Sequence, residues 1–390
     1  MGNLARWIVG AVVVALATLM ILAWNAERLV NRVEPVALPV PGPEAQALHR
    51  EAFVVDLHAD SLLFGRDLLA RSEVGHVDLP RLREGGVGLQ AFTLVTRTPF
   101  GMNVERTEGD APDMLTWVGL LRFSPMGVQS PFERARTQAE RLQEFVARSD
   151  GGLVLVRDRA ELETLLEARR AGRPVVGGLL GIEGAHALEG DPGKLVPLFE
   201  AGVRMVGLAH FFDNRFAGSA HGVEKHGLTP AGRELVRRMV AKGVVIDLAH
   251  LAPRAVEELL AMVSVPTVVS HGGVQGTCPG PRNLSDAQIR AIAAGGGVVG
   301  SGYWETAVCG TTPAHVVAAM RHVIDLVGDS HVALGSDFDG ATTMGFDTRA
   351  LSSLTQAMRD GGIPDRSIPK VLGGNALRVL RAVLPEAPES

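Results

Sequence analysis

A His-x-Asp pair stands at the end of an apolar, β-prone run early in the chain. The run and the pair read FVVDLHAD over residues 53–60. Because side chains alternate between the two faces of an extended strand, His58 and Asp60 point the same way. A neighbouring imidazole and carboxylate are good ligands for a divalent metal ion. A three-residue pattern also arises by chance, so the prediction depends on whether similar endings recur.

Similar polar groups do recur where other apolar runs end. These further strand-end residues are Glu183, His210, His250, His271 and Asp337. One strand-end histidine is more often a hydrogen-bonded structural residue than a ligand. Four at matched positions are different, because random placement scatters histidines through loops and helices, as it does with the remaining eight. The donors are too many for one tetrahedral zinc and suffice for two metal ions bridged by Glu183.

Two further carboxylates lie close in sequence to these donors. Asp56 shares the strand face of His58 and is either a group that supports the ligand or a buried carboxylate with backbone partners. Asp339 is assigned to holding the loop that follows Asp337.

The elements that must position these residues are eight apolar, strand-like runs. They span residues 53–58, 88–95, 174–183, 203–210, 244–250, 266–271, 297–303 and 331–337. Amphipathic, helix-like stretches separate most of them, with helix-start signals such as Thr229-Pro230, Ser285-Asp286 and Thr312-Pro313. Near-continuous hydrophobic strands alternating with helices predict a parallel sheet covered on both faces. Eight units favour an α/β fold of the (β/α)8 TIM-barrel type, in which all strand ends meet at one mouth.

The segment 96–173 is too long for a simple crossover between two strands. We expect it to add a helix at 133–146, a short strand at 153–156 and a second helix at 158–171.

Composition excludes several classes of protein. A formal net charge of −5 and a pI of about 6.2 give no footprint for nucleic acid. Two cysteines exclude a disulfide-dense scaffold and a four-thiolate zinc site. The sequence also lacks a G-x-S-x-G nucleophile elbow and a G-x-x-x-x-G-K phosphate loop.

The N-terminal region carries an 18-residue stretch without charge, residues 7–24, bracketed by tryptophans. Its length and flanks favour a retained transmembrane anchor over a cleavable signal peptide. We therefore expect residues 1–34 to form the anchor, 35–47 a proline-rich linker, 48–384 the catalytic barrel and 385–390 a disordered tail. The charges that flank the span do not decide its orientation.

Seven ordered motifs make the chain resemble the membrane dipeptidase (renal dipeptidase) family of zinc metallopeptidases. They are D-L-H-A-D at 56–60, G-I-E-G-A-H at 181–186, L-A-H-F-F-D-N at 208–214, D-L-A-H at 247–250, S-H at 270–271 with P-R-N at 281–283, G-S-D-F-D-G at 335–340 and G-G-N-A-L-R-V at 373–379. The likeness covers residues 53–380 and implies the barrel reached above.

The resemblance also implies roles, a cofactor and a reaction. Two Zn²⁺ would be bound, one by His58 and Asp60 and the other by His250 and His271, with Glu183 as the bridge. The remaining site residues are His210, Arg282 and Asn214, facing the substrate's carbonyl and carboxylate, and Asp337, handling protons. The implied reaction is hydrolysis of a dipeptide by a metal-bridging hydroxide, and a homodimer is the implied assembly.

Some positions depart from the family's pattern. Leu57 and Ala59 replace a usual Gly and Asn, and Gly272-Gly273 replaces serines that often follow the sixth-strand histidine. These changes leave the ligands intact and bear on which substrates the site prefers. Cys278 and Cys309 match the spacing of a disulfide found in animal members, which implies a barrel on the periplasmic or extracytoplasmic side.

Two other functions stay open at this stage. The same metal barrel would also serve an amidohydrolase that acts on N-acyl amino acids, lactones or β-lactams, since all of these involve hydroxide attack on a carbonyl. A membrane-tethered binding protein without catalysis is the third hypothesis. It is disfavoured because the whole set of ligands, including the proton-handling Asp337, is present.

Overall fold

Nine parallel strands form the centre of the computed structural model, which describes residues 3–387. They are β1 Val54–Ala59, β2 Val87–Val95, β3 Leu153–Leu155, β4 Val176–Glu183, β5 Val203–Gly207, β6 Val245–Asp247, β7 Val268–Gly272, β8 Val298–Ser301 and β9 Val332–Leu334. Hydrogen bonds run in the order β2-β1-β9-β8-β7-β6-β5-β4, and pairing of β2 with β4 closes the ring. The predicted eight-stranded barrel is confirmed.

The ninth strand, β3, lies outside this ring. It pairs with residues 176–178 at the start of β4, while β5 pairs with residues 180–182 further along. It coincides with the short strand expected at 153–156, and it sits between the helices Pro131–Arg148 and Arg159–Arg170 expected on either side of it.

Helices cover the outside of the barrel and begin where the sequence supplies caps. Ser130 and Glu133 form a capping box at one start, and Ser285 and Gln288 form another. Thr229 accepts a hydrogen bond from the backbone of Gly232. The larger helices of the barrel layer are Leu79–Glu84, Pro131–Arg148, Arg159–Arg170, Leu195–Glu200, Pro230–Lys242, Pro253–Leu260, Asp286–Ala294, Pro313–Val327, Leu351–Asp360 and Asn375–Val383.

An apolar cluster fills the barrel interior beneath the mouth. It takes residues from every barrel strand, among them Leu89, Leu179 and Val245. Leu179 shares a strand face with Glu183, and Val245 shares one with Asp247, because faces repeat every two residues. The interior is therefore hydrophobic below and polar at the carboxyl ends of the strands, as in TIM barrels generally.

Two elements lie apart from the barrel layer. The apolar helix, Asn3–Trp24, is almost entirely exposed, with only Ala23 buried, and its length and composition make it a candidate membrane span. The insertion helix, Met114–Leu121, lies in the long segment between β2 and β3. A further helix, Pro43–Glu51, crosses the predicted boundary between linker and barrel. Residues 388–390 of the predicted disordered tail lie outside the described residues.

Candidate metal centre

Strand ends supply the side chains that meet at the mouth of the barrel. His58 lies in β1, Glu183 ends β4 and His271 lies in β7, while Asp60 follows β1 directly. His210, His250 and Asp337 come three residues after β5, β6 and β9, so these strands are shorter than the sequence predicts. The backbone leaves the ladder there: φ is 63° at His250 and 61° at Asp337, a left-handed conformation that is uncommon for non-glycine residues and often found at functional sites.

Glu183 is the centre around which the donor atoms converge. Its Oε1 lies 2.9 Å from His250 Nε2, 3.3 Å from His271 Nε2 and 3.5 Å from His58 Nε2. Its Oε2 lies 3.5 Å from His210 Nε2. Gly184 allows this crowding, because a Cβ at its φ of 81° would lie 2.8 Å from the Cβ of His210.

A second group of donors surrounds His58. Its Nε2 is 3.5 Å from Asp60 Oδ1 and 3.9 Å from Asp337 Oδ1. Asp60 is held in turn by Thr93, whose hydroxyl donates to Asp60 Oδ1 at 2.5 Å. His58, Asp60 and Asp337 form one potential metal-binding group, and His58, Glu183 and His271 another. The sequence-predicted donors are thus together, with Glu183 between the two carboxylates of the first group and the rings of His250 and His271.

One serine fixes two of the imidazoles. Ser270 Oγ lies 3.0 Å from His58 Nδ1, 2.9 Å from His271 Nδ1 and 2.6 Å from Asp247 Oδ2. A hydroxyl has one proton to donate and two lone pairs. Asp247 as a carboxylate only accepts, so Ser270 donates to it and accepts from both rings. Both imidazoles therefore carry their proton on Nδ1 and turn a free Nε2 lone pair towards Glu183.

A second histidine does the same for His250. His221 Nδ1 lies 2.7 Å from the carbonyl oxygen of Val104, which only accepts, so His221 donates there. Its Nε2, 3.0 Å from His250 Nδ1, is then the acceptor of a hydrogen bond from His250. His250 is left with a free Nε2 lone pair, as are the two rings held by Ser270.

This donor set fits metal cations. The Nε2 atoms of His250 and His271 lie 3.0 Å apart, and the tautomers place no proton between them. Among the described residues, the buried Nε2 of His58 has no hydrogen-bond partner either. Lone pairs that converge on a carboxylate repel one another unless a cation lies among them. The residues present therefore suit one or more divalent ions.

The pKa values of the donor groups are consistent with a site for cations. Burial lowers the pKa of His250 and of His271 well below the ordinary value, so both rings are neutral. Burial alone would lower the pKa of His58, but the carboxylates of Glu183 and Asp60 raise it to about 10, so positive charge is favoured at its Nε2, which either a proton or a metal ion would supply. Burial also raises the pKa of Glu183 well above its usual value and that of Asp337 to about 8. Each of these shifts follows from burial together with the charges of the neighbouring donors.

A cavity of about 1110 Å³ opens above the centre. His210 and Arg282 line it together with Glu183 and Asp337. Arg282 is half-buried, and one of its guanidinium nitrogens, Nη2, donates to the carbonyl oxygen of His271 at 2.9 Å. A cavity of this kind suits a small polar ligand with a carboxylate for Arg282.

Comparison with known proteins identifies the family. The model of the membrane dipeptidase family, peptidase family M19, matches residues 43–387. The chain belongs to this family. By family it is a hydrolase of the metallodipeptidase class, as the dipeptidase resemblance predicts.

Relatives share sequence and fold with this family member. A dipeptidase, tcpJ, of Claviceps purpurea is 29% identical over 322 residues, covering 79% of this chain and 69% of the relative. An uncharacterised Klebsiella pneumoniae protein from the pqqA 5′ region is 33% identical over 258 residues, covering 62% and 93%. The crystal structure of a Rhodobacter sphaeroides metallopeptidase, liganded with a phosphinate mimic of L-Ala-D-Ala, is 25% identical with a TM-score of 0.68, covering 85% and 99%.

Asn214 is the one predicted site residue of this membrane dipeptidase family member that the structure does not bring to the centre. Its Nδ2 donates to the carbonyl of Leu208, and its Oδ1 accepts from the backbone of Phe216 and Ala217. Among residues 3–387, those lining the cavity do not include it. Its amide instead holds the loop that follows β5.

Asp56 follows one of its two predicted alternatives, and other residues support the ligands. Asp56 bonds to Ser336 and to the backbone of His58 rather than to the His58 ring. Asp339 binds Ser61, Arg66 and the backbone of His76, which agrees with a role in its loop. The residues that sequence reasoning missed are His221, one of the eight histidines away from the strand ends, and Ser270 with Asp247. The last two lie inside the quoted motifs S-H and D-L-A-H, so the only available signal was their position one and three residues before a predicted ligand.

The two cysteines form the disulfide that the family resemblance implies. Cys278 and Cys309 are bonded, with their Cα atoms 5.3 Å apart. Their bridge links the loop after β7 to the short helix Glu305–Val308. The prediction of a disulfide is confirmed.

Proposed function

We propose that this chain is a zinc-dependent dipeptidase that hydrolyses the peptide bond of dipeptides through a hydroxide shared by two zinc ions. The observation that carries the proposal is the convergence of three Nδ1-protonated imidazoles on one carboxylate, Glu183. His58 and Asp60 would hold one ion, His250 and His271 the other, and Glu183 both. When bound, the zinc ions supply the nucleophilic hydroxide at neutral pH and positive charge for the developing oxyanion.

The residues around the cluster divide the remaining tasks. Arg282 would bind the free carboxylate of the dipeptide, because its planar guanidinium donates two parallel hydrogen bonds. Asp337 would accept a proton and deliver it to the leaving amine, a role that suits a carboxyl whose pKa burial raises to about 8.

His210 would donate a hydrogen bond to the carbonyl oxygen of the scissile bond. This requires the proton on Nε2, whereas Nδ1 lies 3.3 Å from the carbonyl of Arg97. That contact is long for a hydrogen bond, so it opposes the required tautomer only weakly. Burial lowers the pKa of His210 well below its ordinary value, and the ring therefore acts as a neutral donor.

The proposal is tested by metal analysis combined with a dipeptide panel. Purified full-length chain should contain two zinc ions and cleave dipeptides, and chelation should abolish cleavage that added zinc restores. The panel should include L,D-dipeptides, since a relative of this fold binds a mimic of L-Ala-D-Ala. A chain that binds no zinc and cleaves no dipeptide would return the non-catalytic binding protein to first place.

The role of Arg282 has its own test. We expect Arg282→Ala to raise KM far more for dipeptides than for substrates without a free carboxylate. Lys is the matched replacement, because it keeps the charge and loses the paired donors. Equal losses on both kinds of substrate would leave Arg282 as a clamp on the carbonyl of His271.

The volume of the cavity favours one second candidate. About 1110 Å³ exceeds what two amino-acid residues need, and typical small-molecule sites span about 300–1,000 Å³. Apolar side chains such as Leu63, Met114 and Val118 line part of it. An amidohydrolase acting on N-acyl amino acids, lactones or β-lactams would use this space. Comparing dipeptides with these compounds at equal concentration discriminates the two functions.

The location of the chain is also part of the proposal. The apolar helix would anchor it in a membrane, and a disulfide persists only in an oxidising compartment, so the barrel would lie on the periplasmic or extracytoplasmic side. A homodimer would be the assembly, by analogy with the family. Protease accessibility in right-side-out vesicles, together with the mass of the solubilised particle, tests both statements.

A further inference from the structure

The insertion helix exposes apolar side chains without a partner among the described residues. Its sequence MLTWVGLL has no charge from Met114 to Leu121, yet Trp117 is 54% and Leu120 45% exposed. Asp113, which precedes the helix, forms a largely buried ion pair with Arg134 and so adds no charge to the exposed face. A helix that is hydrophobic all round is normally buried. We therefore expect the exposed face of this helix to be covered by a lipid phase or by another protein surface.

Neighbouring residues extend this face into a patch. Phe123 and Val128, in the turn after the helix, are 81% and 80% exposed. Phe100, 51% exposed, lies beside the start of the helix through the bridge between Pro99 and Asp113. We call Phe100, Trp117, Leu120, Phe123 and Val128 the apolar patch.

The end of the apolar helix packs against this same region. Residues of Asn3–Trp24 contact the insertion helix, and Ala23, the residue before Trp24, is buried. The guanidinium of Arg122 lies 5.5 Å from the ring centre of Trp24. Tryptophans at the end of a span mark the level of the membrane–water interface. In the proposed span Trp24 lies at this interface, which would bring Leu120 and Phe123, close to Arg122 in the sequence, near the same level.

The chain after the apolar helix is tied to the barrel and cannot swing freely. Glu27 pairs with Arg66 at 3.0 Å, and both side chains are largely buried. Asn31 accepts a hydrogen bond from the backbone of Ala341. Residues 32–36 form backbone hydrogen bonds with residues 344–345. A span fixed in this way sets the orientation of the barrel, because few backbone torsions between the apolar helix and the barrel remain free to rotate.

From these observations we infer that the apolar patch docks onto the surface of the lipid bilayer in which the apolar helix is anchored. The inference rests on the proposed membrane span. Aromatic and leucine side chains at this depth bury their apolar parts in the headgroup–acyl boundary, as interfacial helices do. The catalytic cavity is lined by Met114 and Arg122 on one side and by Ala26 and Val30, just after the span, on another. The mouth of the site therefore lies beside the membrane surface, and substrates approach it along that surface.

Site-specific quenching in the full-length chain tests the docking. Both native cysteines are in the disulfide, so an environment-sensitive fluorophore attaches only to an added thiol. Single labels go on Leu120→Cys and Phe123→Cys in the patch. The matched control is Val240→Cys, 38% exposed on the helix Pro230–Lys242 of the barrel layer. Val14→Cys reports on the middle of the apolar helix.

The fluorescence of each label is measured in lipid nanodiscs, once with nitroxide-labelled lipids and once with a water-soluble compound as the quencher. We expect lipids with the nitroxide near the headgroup to quench labels at 120 and 123 at least about twofold more than the label at 240, since docked side chains sit about 5–10 Å deep. Lipids with a deep nitroxide should quench the label at 14.

Three outcomes would overturn the inference, each for a different reason. A label at 14 that deep nitroxides do not quench removes the membrane span and the docking with it. Quenching at 14 combined with equal, weak quenching at 120, 123 and 240 removes the docking alone. Labels at 120 and 123 that are shielded from both lipid and aqueous quenchers indicate that a second copy of the chain covers the patch instead. None of the three outcomes bears on the proposed dipeptidase activity, which metal analysis and the dipeptide panel test.

Discussion

Replacing Ser270 by alanine removes one hydroxyl that serves two predicted zinc ligands. In the native chain Ser270 accepts from His58 and His271 and donates to Asp247. Each ring loses the bond that fixes its tautomer and orientation. Ser270 is completely buried, so water does not easily take the place of the hydroxyl.

The size of the effect follows from the number of bonds lost. A lost hydrogen bond costs about 1 kcal/mol net, and a buried partner left unpaired raises that to about 1–3 kcal/mol. About 1.4 kcal/mol corresponds to a tenfold change in affinity. Since His58 and His271 belong to different proposed zinc ions, we expect both sites to lose about 10- to 100-fold in affinity, the range known for residues that support metal ligands. Stoichiometry at saturating zinc should remain two.

The assay is a metal titration, which does not depend on turnover. The chain is stripped with a chelator and titrated with zinc in the presence of a fluorescent competitor, so that each binding step is resolved. The control is Ser336→Ala. Ser336 is equally buried, and its hydroxyl bonds the strand carboxylate Asp56 and the backbone carbonyl of His58, but among the described residues it contacts none of the predicted ligand rings.

Two results would refute the reasoning. Native affinity of Ser270→Ala for both ions would mean that the hydroxyl does not orient the ligands. An equal loss in Ser336→Ala would mean that any buried serine here supports the fold alone. A weakening of both steps in Ser270→Ala only, with similar unfolding temperatures for the two variants, is the expected pattern.

Further predictions concern residues outside the predicted ligand set. His221→Phe keeps the ring packing and removes the acceptor for His250, so it should weaken one of the two zinc-binding steps about tenfold in the same titration. Burial raises the pKa of Glu27 from 4.5 to about 7, so the folded chain loses stability as pH rises through this window. Glu27→Gln should therefore be more stable than the native chain above pH 7, by about 3 kcal/mol at most, and equal to it below pH 4.5 in thermal unfolding. Replacing Cys278 and Cys309 together by serine opens a loop of 31 residues and should lower the free energy of unfolding by about 3–4 kcal/mol, measured in urea.

The barrel and most of the centre could be predicted because the relevant signals are local. Strand-like runs, helix caps and the polar residues that end six of the eight runs can be counted along the sequence. The rule that parallel strands deliver their carboxyl ends to one mouth then brings distant residues together. This reasoning succeeds for His250 and Asp337 even though the strands end earlier than expected. The predicted strand and the left-handed turn that replaces its end both lead to the same mouth.

The partners of the ligands could not be predicted in this way. Ser270 and His58 are 212 residues apart, and whether their side chains meet depends on how far each strand is shifted along the barrel axis. Periodicity gives the face on which a residue lies and not its height within the barrel. His221 stands in a loop without regular structure, so its sequence context carries no signal for contact with His250.

Asn214 shows the opposite failure, in which a motif suggests more than the side chain does. It lies in the motif of 208–214 beside His210, and nearness in sequence made it a candidate for binding substrate. A short amide side chain at a turn satisfies nearby backbone groups before it reaches a ligand. All three of its hydrogen bonds follow that preference.

Glu183 and Ser270 hold two of the same rings, His58 and His271, from opposite ends. The carboxylate faces each Nε2 and the hydroxyl binds each Nδ1, so each imidazole is defined at both nitrogens. Such an arrangement leaves little freedom for the rings to turn, and it keeps every Nε2 lone pair directed at one small volume. Burial and the neighbouring carboxylates raise the pKa of Glu183, and the carboxylates raise that of His58, so added positive charge is favoured in this volume. The proposed pair of zinc ions would supply that positive charge and would allow these buried donors to lie together at the mouth of the barrel.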